Sequence, residues 1–325
     1  MRVSVVSPSA MRPGTTRSGL TSMRRGASRG SWNKGTATRK GEAKRVARQT
    51  STERPAPRKP MIQPMEATPN LRWLGDRIVE DWTRFVPQVE KSDAYQTWDK
   101  CQSSLDPPMI LENTVYQSPT FRKMHVEYAE IGDEFRVLHC VIAPHIVYPV
   151  PIFGADIVQR GTKTTFCITD LSPVTRDGML PTEYLVPLEH LKRNLIRTTS
   201  LRQMPAWGRD IFSEACLCLN PKSNECVYRW FRYTLSAHRF YLDKAIRSLQ
   251  KWDFQETHEC HVNYANAQRK NDKTRAVLER HFGTEFTDHY IENLLFDVPP
   301  LEEPTEEGIL NMMSLYYSQE RGLDL

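Results

Sequence analysis

Four ionisable side chains occupy stretches of this 325-residue sequence that otherwise read as buried strand. His125 and Glu127 occur in MHVEYAE, His139 in FRVLHCVIA and Asp156 in IFGADIV. Side chains alternate between the two faces of a strand, so His125 and Glu127 share one face. His139 likewise shares a face with Phe135, Val137 and Val141. Whether those two faces coincide depends on register across the turn at 131–134, which the sequence leaves open. If they do, two carboxyls and two imidazoles line one side of a sheet. Burying such groups is costly unless they are paired, and pairing moves their pKa values. A carboxylic acid kept protonated by desolvation, beside an imidazole poised near neutrality, suits staged proton donation. Taken singly, each residue could instead satisfy a structural neighbour or face solvent.

Nothing in the sequence supplies electrons. The seven cysteines (101, 140, 167, 216, 218, 226 and 260) are scattered. Cys216 and Cys218 form a C-x-C without the spacing of an iron–sulfur or zinc site. Neither a Gly-rich phosphate loop, a Ser/His/Asp order nor an H-E-x-x-H pair is present. Reduced thiols are the default, and electrons must come from outside the chain.

The elements that would position these groups are legible in the hydrophobic pattern. Leu71, Leu74, Ile78, Trp82 and Phe85 recur at helical spacing and predict an amphipathic helix over Leu71–Val86. Met124–Glu130, Phe135–Ala143, Ile152–Val158 and Thr164–Asp170 read as strands, and short links such as IGDE at 131–134 imply antiparallel neighbours. PAWG at 205–208 reads as a tight turn feeding a buried strand in IFSEACLCL. Helices are expected over Glu225–Leu249, His258–His281 and Glu285–Phe296, with Asn271-Asp272 a weak spot in the middle one. Strands followed by helices give an α+β fold, a three-layer α/β/α sandwich with a central antiparallel sheet.

Charge divides the chain. The formal net charge is +5, but residues 1–60 hold 15 of the 44 Lys and Arg and only 2 of the 39 Asp and Glu. Residues 61–325 therefore carry 29 basic and 37 acidic side chains, a net −8. Diffuse binding of nucleic acid by the body is not expected. The leader 1–55, rich in Ser, Thr, Arg and Gly, has the composition of an organelle transit peptide; a retained basic arm is the alternative. A Pro-rich linker at 56–69, a domain over 70–300 and an extension at 301–325 complete the expected organisation. The most apolar stretch, Val141–Val158, contains His145, Asp156 and three prolines, so no membrane span is expected.

Five ordered blocks resemble the ferredoxin-dependent bilin reductases: FRKMHVEYAEIGDEFRVLHC, YPVPIFGADIV, DLSP, MPAWGRDIFSEACLCL and QRKNDKTRAVLERHFG. The resemblance runs from about Leu111 to Val298. It implies that Asp156 and His139 are catalytic and that Glu127 protonates the D-ring vinyl group of biliverdin. His125, Asn271 and Asp272 would support the site, with Arg202 and Lys273 meeting the propionates. Glu127 further implies four-electron reduction of biliverdin IXα through 18¹,18²-dihydrobiliverdin to phycocyanobilin, with electrons from external 2Fe-2S ferredoxin and no cofactor bound. A chloroplast enzyme acting as a monomer is expected. Sister reductases that leave the vinyl group alone, or a non-catalytic bilin carrier, are the alternatives. Arg269, Lys270 and Arg275 are expected to form a basic patch for acidic ferredoxin. His145 is expected near the pocket.

Overall fold

Helix α1 (Leu71–Phe85) starts where the Asn70 side chain accepts a hydrogen bond from the Trp73 amide at 3.1 Å. That contact satisfies one of the N–H groups a helix start leaves unpaired. Its stripe of Leu71, Leu74, Ile78 and Trp82 is buried, which stabilises the fold by about 1.5–3 kcal/mol for each such aliphatic side chain. A Cβ at Gly75 would lie 3.0 Å from Leu138 Cδ1, so α1 approaches the sheet closely here and a side chain would require Leu138 to give way.

In this computed structural model, residues 68–196, 201–204, 206–250, 254–301 and 314 are described. The expected leader 1–55, most of the linker 56–69 and nearly all of the extension 301–325 lie outside the described residues. Strands β1 (Glu90–Lys91), β2 (Lys100–Gln102), β3 (Met109–Gln117), β4 (Phe121–Ile131), β5 (Phe135–Pro144), β6 (Ile152–Arg160), β7 (Lys163–Ser172) and β8 (Leu217–Leu219) form one sheet. Its order is β1-β3-β4-β5-β6-β7-β8, with β2 also on β3, and every pair is antiparallel.

Turn geometry sets the register. Gly132 adopts φ +47° in the β4–β5 turn, where glycine is at ease. Ile131 there pairs with Phe135, which places Glu127 opposite His139. Farther along, His139 pairs with Asp156. Lys123 shares the face of His125 by alternation, and an irregularity between Phe121 and Lys123 shifts the register so that Phe121 packs with the opposite core.

Helix α3 (Asn224–Ala245) and α1 cover one face, packing on Met124, Val126, Leu138, Cys140, Ile142, Phe153 and Ile157. Helix α2 (Thr182–Ile196) packs on α3. The other face is covered by α4 (Gln255–Gln268), α5 (Asp272–Phe282), α6 (Thr284–Tyr290) and a π-helical turn, Ile291–Leu295. Leu111, Val115 and Ala129 meet Ala265, Leu278 and Leu294 there. The sandwich expected from the order of elements is the one that forms. Two details differ. The helix expected over His258–His281 is two helices, because Asn271 leaves helical dihedrals (φ −77°, ψ 87°). The strand expected in IFSEACLCL shortens to Leu217–Leu219. Among the described residues no helix is long and apolar enough to cross a membrane.

Candidate active site

Asn113, Glu127, His139 and Asp156 stand directly opposite one another on β3, β4, β5 and β6, one row across the face beneath α4–α6. At a strand spacing of about 4.8 Å, the backbones of Glu127 and Asp156 are roughly 10 Å apart with His139 between them. The adjacent row on the same face runs Val115, His125, Val141, Gly154 and Asp170. Gly154 contributes no side chain there. A Cβ would meet Tyr264 Oη at 3.4 Å, so α4 comes close, and a narrow cleft opens beside Asp156, Asp170, Phe212, Tyr264 and Gln268.

Asp156 Oδ1 lies 2.5 Å from His139 Nδ1, the carboxylate 30% exposed and the imidazole 11%. Burial pulls the His139 pKa down, but the charge and hydrogen bond of Asp156, helped by Glu127, outweigh it and raise the pKa above its ordinary value. His139 Nε2 is buried with no protein partner among the described residues. The pair can therefore present a proton at Nε2 while Asp156 fixes the ring. Phe296 meets the His139 ring edge-on at 5.8 Å.

Glu127 is buried, and burial pushes its carboxyl up, opposed by His139 and by the hydroxyl of Tyr290 at 2.6 Å. A carboxyl so placed keeps its proton more readily than one in water. Burial first, then the charges of Lys123 and His139, holds His125 well below its ordinary value and hence neutral. Its Nε2 is 2.9 Å from Asn113 Oδ1.

Two further buried ionisable groups support this face. Lys123 Nζ donates to Leu294 O at 2.6 Å and pairs with Asp297, which also holds Arg122. Burial lowers Lys123 to about 8 against the pull of Asp297. The clamp ties the π-helical turn to the sheet, between Tyr290 and Phe296. Asp170 accepts from Ser213 Oγ at 2.6 Å and Ser172 Oγ at 2.7 Å, and burial still pushes it up to about 6.

Other expected residues lie off the row. Asn271 donates to Thr274 Oγ1 at 3.0 Å between α4 and α5, and Asp272 and Lys273 are exposed there. Arg202 is exposed, its amide bonded to Cys218 O and its guanidinium over the Phe166 ring. The basic patch expected for docking is reduced. Arg269 turns inward, with Nη2 donating to Phe296 O at 2.9 Å, and Arg275 pairs with Asp288 and Glu279. Only Lys270 of the three is exposed. His145 packs against Ser118 O rather than joining either row.

Asn113, Lys123, Asp170 and Tyr290 were not singled out by their types. Asn113 carries the clearest signal, a polar residue alternating with Leu111 and Val115. Among the described residues no three His, Cys, Asp or Glu side chains are grouped to hold a metal.

Comparison with known proteins places the chain in a family. The family model for ferredoxin-dependent bilin reductase matches residues 76–297. Phycocyanobilin:ferredoxin oxidoreductase of Trichodesmium erythraeum is 38% identical over 73% of this chain and 96% of its own length. The protein of that name from Synechococcus elongatus is 36% identical over 71% and 94%. Among solved structures, selenomethionine phytochromobilin synthase from tomato in complex with biliverdin superposes with a TM-score of 0.59 at 17% identity, over 74% of this chain and 87% of that one. On the family match and these relatives, the chain belongs to the ferredoxin-dependent bilin reductases.

Proposed function

We propose that this reductase carries out the four-electron reduction of biliverdin IXα to phycocyanobilin through 18¹,18²-dihydrobiliverdin. Four electrons arrive singly from external reduced ferredoxin, and four protons enter the bilin from the enzyme and solvent. No cofactor is bound by the chain itself. The observation that carries the reading is the row Glu127–His139–Asp156, which sets two carboxyls on either side of one imidazole on the sheet face beneath α4–α6. A linear tetrapyrrole lying on that face would meet both.

In this reading His139 and Asp156 deliver the proton at one end. Glu127, held protonated by burial, serves the D-ring vinyl group. His125 supports Glu127 through Asn113 and Tyr290. Arg202 and Lys273 hold the propionates at the rim, where Arg can make a two-pronged contact, and Asn271 and Asp272 shape the α4–α5 junction. The names of the two cyanobacterial relatives support phycocyanobilin as product. We further propose that residues 70–300 form the catalytic domain, acting as a monomer, and that residues 1–55 direct it to the plastid stroma.

The test is anaerobic incubation of the full chain with biliverdin IXα and chemically reduced ferredoxin. Phycocyanobilin, identified by absorption and chromatography, is expected. A product with its D-ring vinyl intact would assign the chain to another reductase of the family. Unchanged biliverdin would make it a carrier.

A further inference from the structure

Asn113 and Tyr290 adjoin Glu127, and donor–acceptor bookkeeping constrains both. Asn113 Nδ2 donates to Trp98 O at 2.7 Å, which fixes the amide and turns Oδ1 toward the site. That Oδ1 is 2.9 Å from His125 Nε2 and 2.9 Å from Tyr290 Oη. A carbonyl oxygen only accepts, so His125 carries its proton on Nε2. Tyr290 Oη is also 2.6 Å from Glu127 Oε2. A phenol has one proton and cannot donate to Asn113 and Glu127 together.

Two arrangements satisfy Asn113, Tyr290 and Glu127, and in both His125 Nδ1 is buried with no partner among the described residues. With Glu127 protonated, its O–H donates to Tyr290 and Tyr290 donates to Asn113. With Glu127 ionised, Tyr290 donates to Glu127. Burial and the neighbouring carboxyl keep the phenol far above its ordinary pKa, so Tyr290 retains its own proton in both. Its ring is wedged between Trp98 and Phe286, each with its centroid 5.5 Å away, so the hydroxyl can turn while the ring stays.

We propose that Tyr290 is a positioning residue for Glu127, its hydroxyl turning from Asn113 to Glu127 as the carboxyl gives up its proton. The inference rests on the reading of Glu127 as a donor to the bilin. In the step, the Glu127 proton passes to substrate, the Tyr290 O–H reorients without breaking, and a solvent proton later restores the carboxyl. A neutral hydrogen bond is exchanged for a charge-assisted one when the buried carboxylate appears. Asn113 is the resting acceptor that keeps the hydroxyl from committing early.

The test is an infrared pH titration of the carboxyl C=O band in the substrate-free full-length protein, with Glu127→Gln identifying the band. Tyr290→Phe removes the donor to the anion and should raise the midpoint by about one pH unit or more. Replacing Tyr290 with 3,5-difluorotyrosine, a stronger donor of nearly the same size, should lower it. Equal midpoints in all three proteins would overturn the proposal. Should Tyr290→Phe fail to fold, the fluorinated protein alone decides. The titration needs neither bilin nor ferredoxin, so it stands apart from product analysis of Glu127→Gln, which tests the role of Glu127 itself.

Discussion

The two faces of the sheet are built from the same strands and do different work. Toward α1 and α3, β4–β6 present Met124, Val126, Leu138, Cys140, Ile142, Phe153, Ala155 and Ile157, all buried and packed. Toward α4–α6 the alternate positions include Lys123, His125, Glu127, His139 and Asp156, among apolar neighbours such as Ala129 and Val141. One face is continuous apolar core that holds the fold. The other carries charge and imidazole under cover, where desolvation sets protonation states. A period of two separates the tasks, so a substitution one residue along a strand changes from a stability change to a chemical one.

The largest expected effect is on the chemical face. Asp156→Asn leaves an acceptor for His139 but no charge to sustain its protonation. Turnover of biliverdin should fall by about 10²–10⁴-fold, the usual range for lost acid–base catalysis, with a bilin radical accumulating in the absorption spectrum. Its unfolding free energy should change by less than about 1 kcal/mol. A large loss of stability would break the contrast between the faces. One pleat away, Phe153→Ala opens the core and should cost about 3–5 kcal/mol in denaturant unfolding. The protein that remains folded should make the same product.

The site face also carries a dependence on pH. Asp170 on the site face is raised from 3.8 to about 6 in the folded protein, so the native state binds more protons than the unfolded one between those values. Stability from this group is full below pH 3.8 and is lost as pH rises through about 6, a change of about 3 kcal/mol. Asp170→Asn should flatten that slope in urea midpoints measured across the interval. An unchanged slope would remove Asp170 from the picture.

Legibility in the sequence follows the same division. The apolar face and α1 could be read directly, because Leu71, Leu74, Ile78 and Trp82 repeat at helical spacing and the strands alternate. His125, Glu127, His139 and Asp156 stood out as ionisable residues in apolar runs. Their meeting in adjacent rows was not readable, since it depends on the Gly132 turn pairing Ile131 with Phe135. Tyr290 reads as ordinary helix core, and only the fold brings its hydroxyl to Glu127 across 163 residues. Lys123 shares the face of Glu127 by plain alternation, but a lysine reads as solvated, and only the fold brings Asp297 and the Leu294 carbonyl to its ammonium. The basic patch is reduced for a related reason: Arg269 and Arg275 look solvated in sequence, yet both are taken up by internal partners.

The smallest expected effect concerns that patch. Lys270→Ala should raise the KM for ferredoxin about two- to fivefold at low salt, with the saturating rate unchanged and the difference fading as salt rises. Arg269→Ala should instead lower thermal stability by freeing Phe296, the residue that meets His139.

The most direct test of the chemical face is chromatography of the bilin made by Glu127→Gln under anaerobic conditions with reduced ferredoxin. An amide cannot give up the proton that Glu127 is proposed to supply, so the reaction should stop at a product whose D-ring vinyl group is unreduced or only partly reduced, while the unsubstituted protein proceeds to phycocyanobilin. Phycocyanobilin formed by Glu127→Gln in normal yield would contradict the role assigned to that residue.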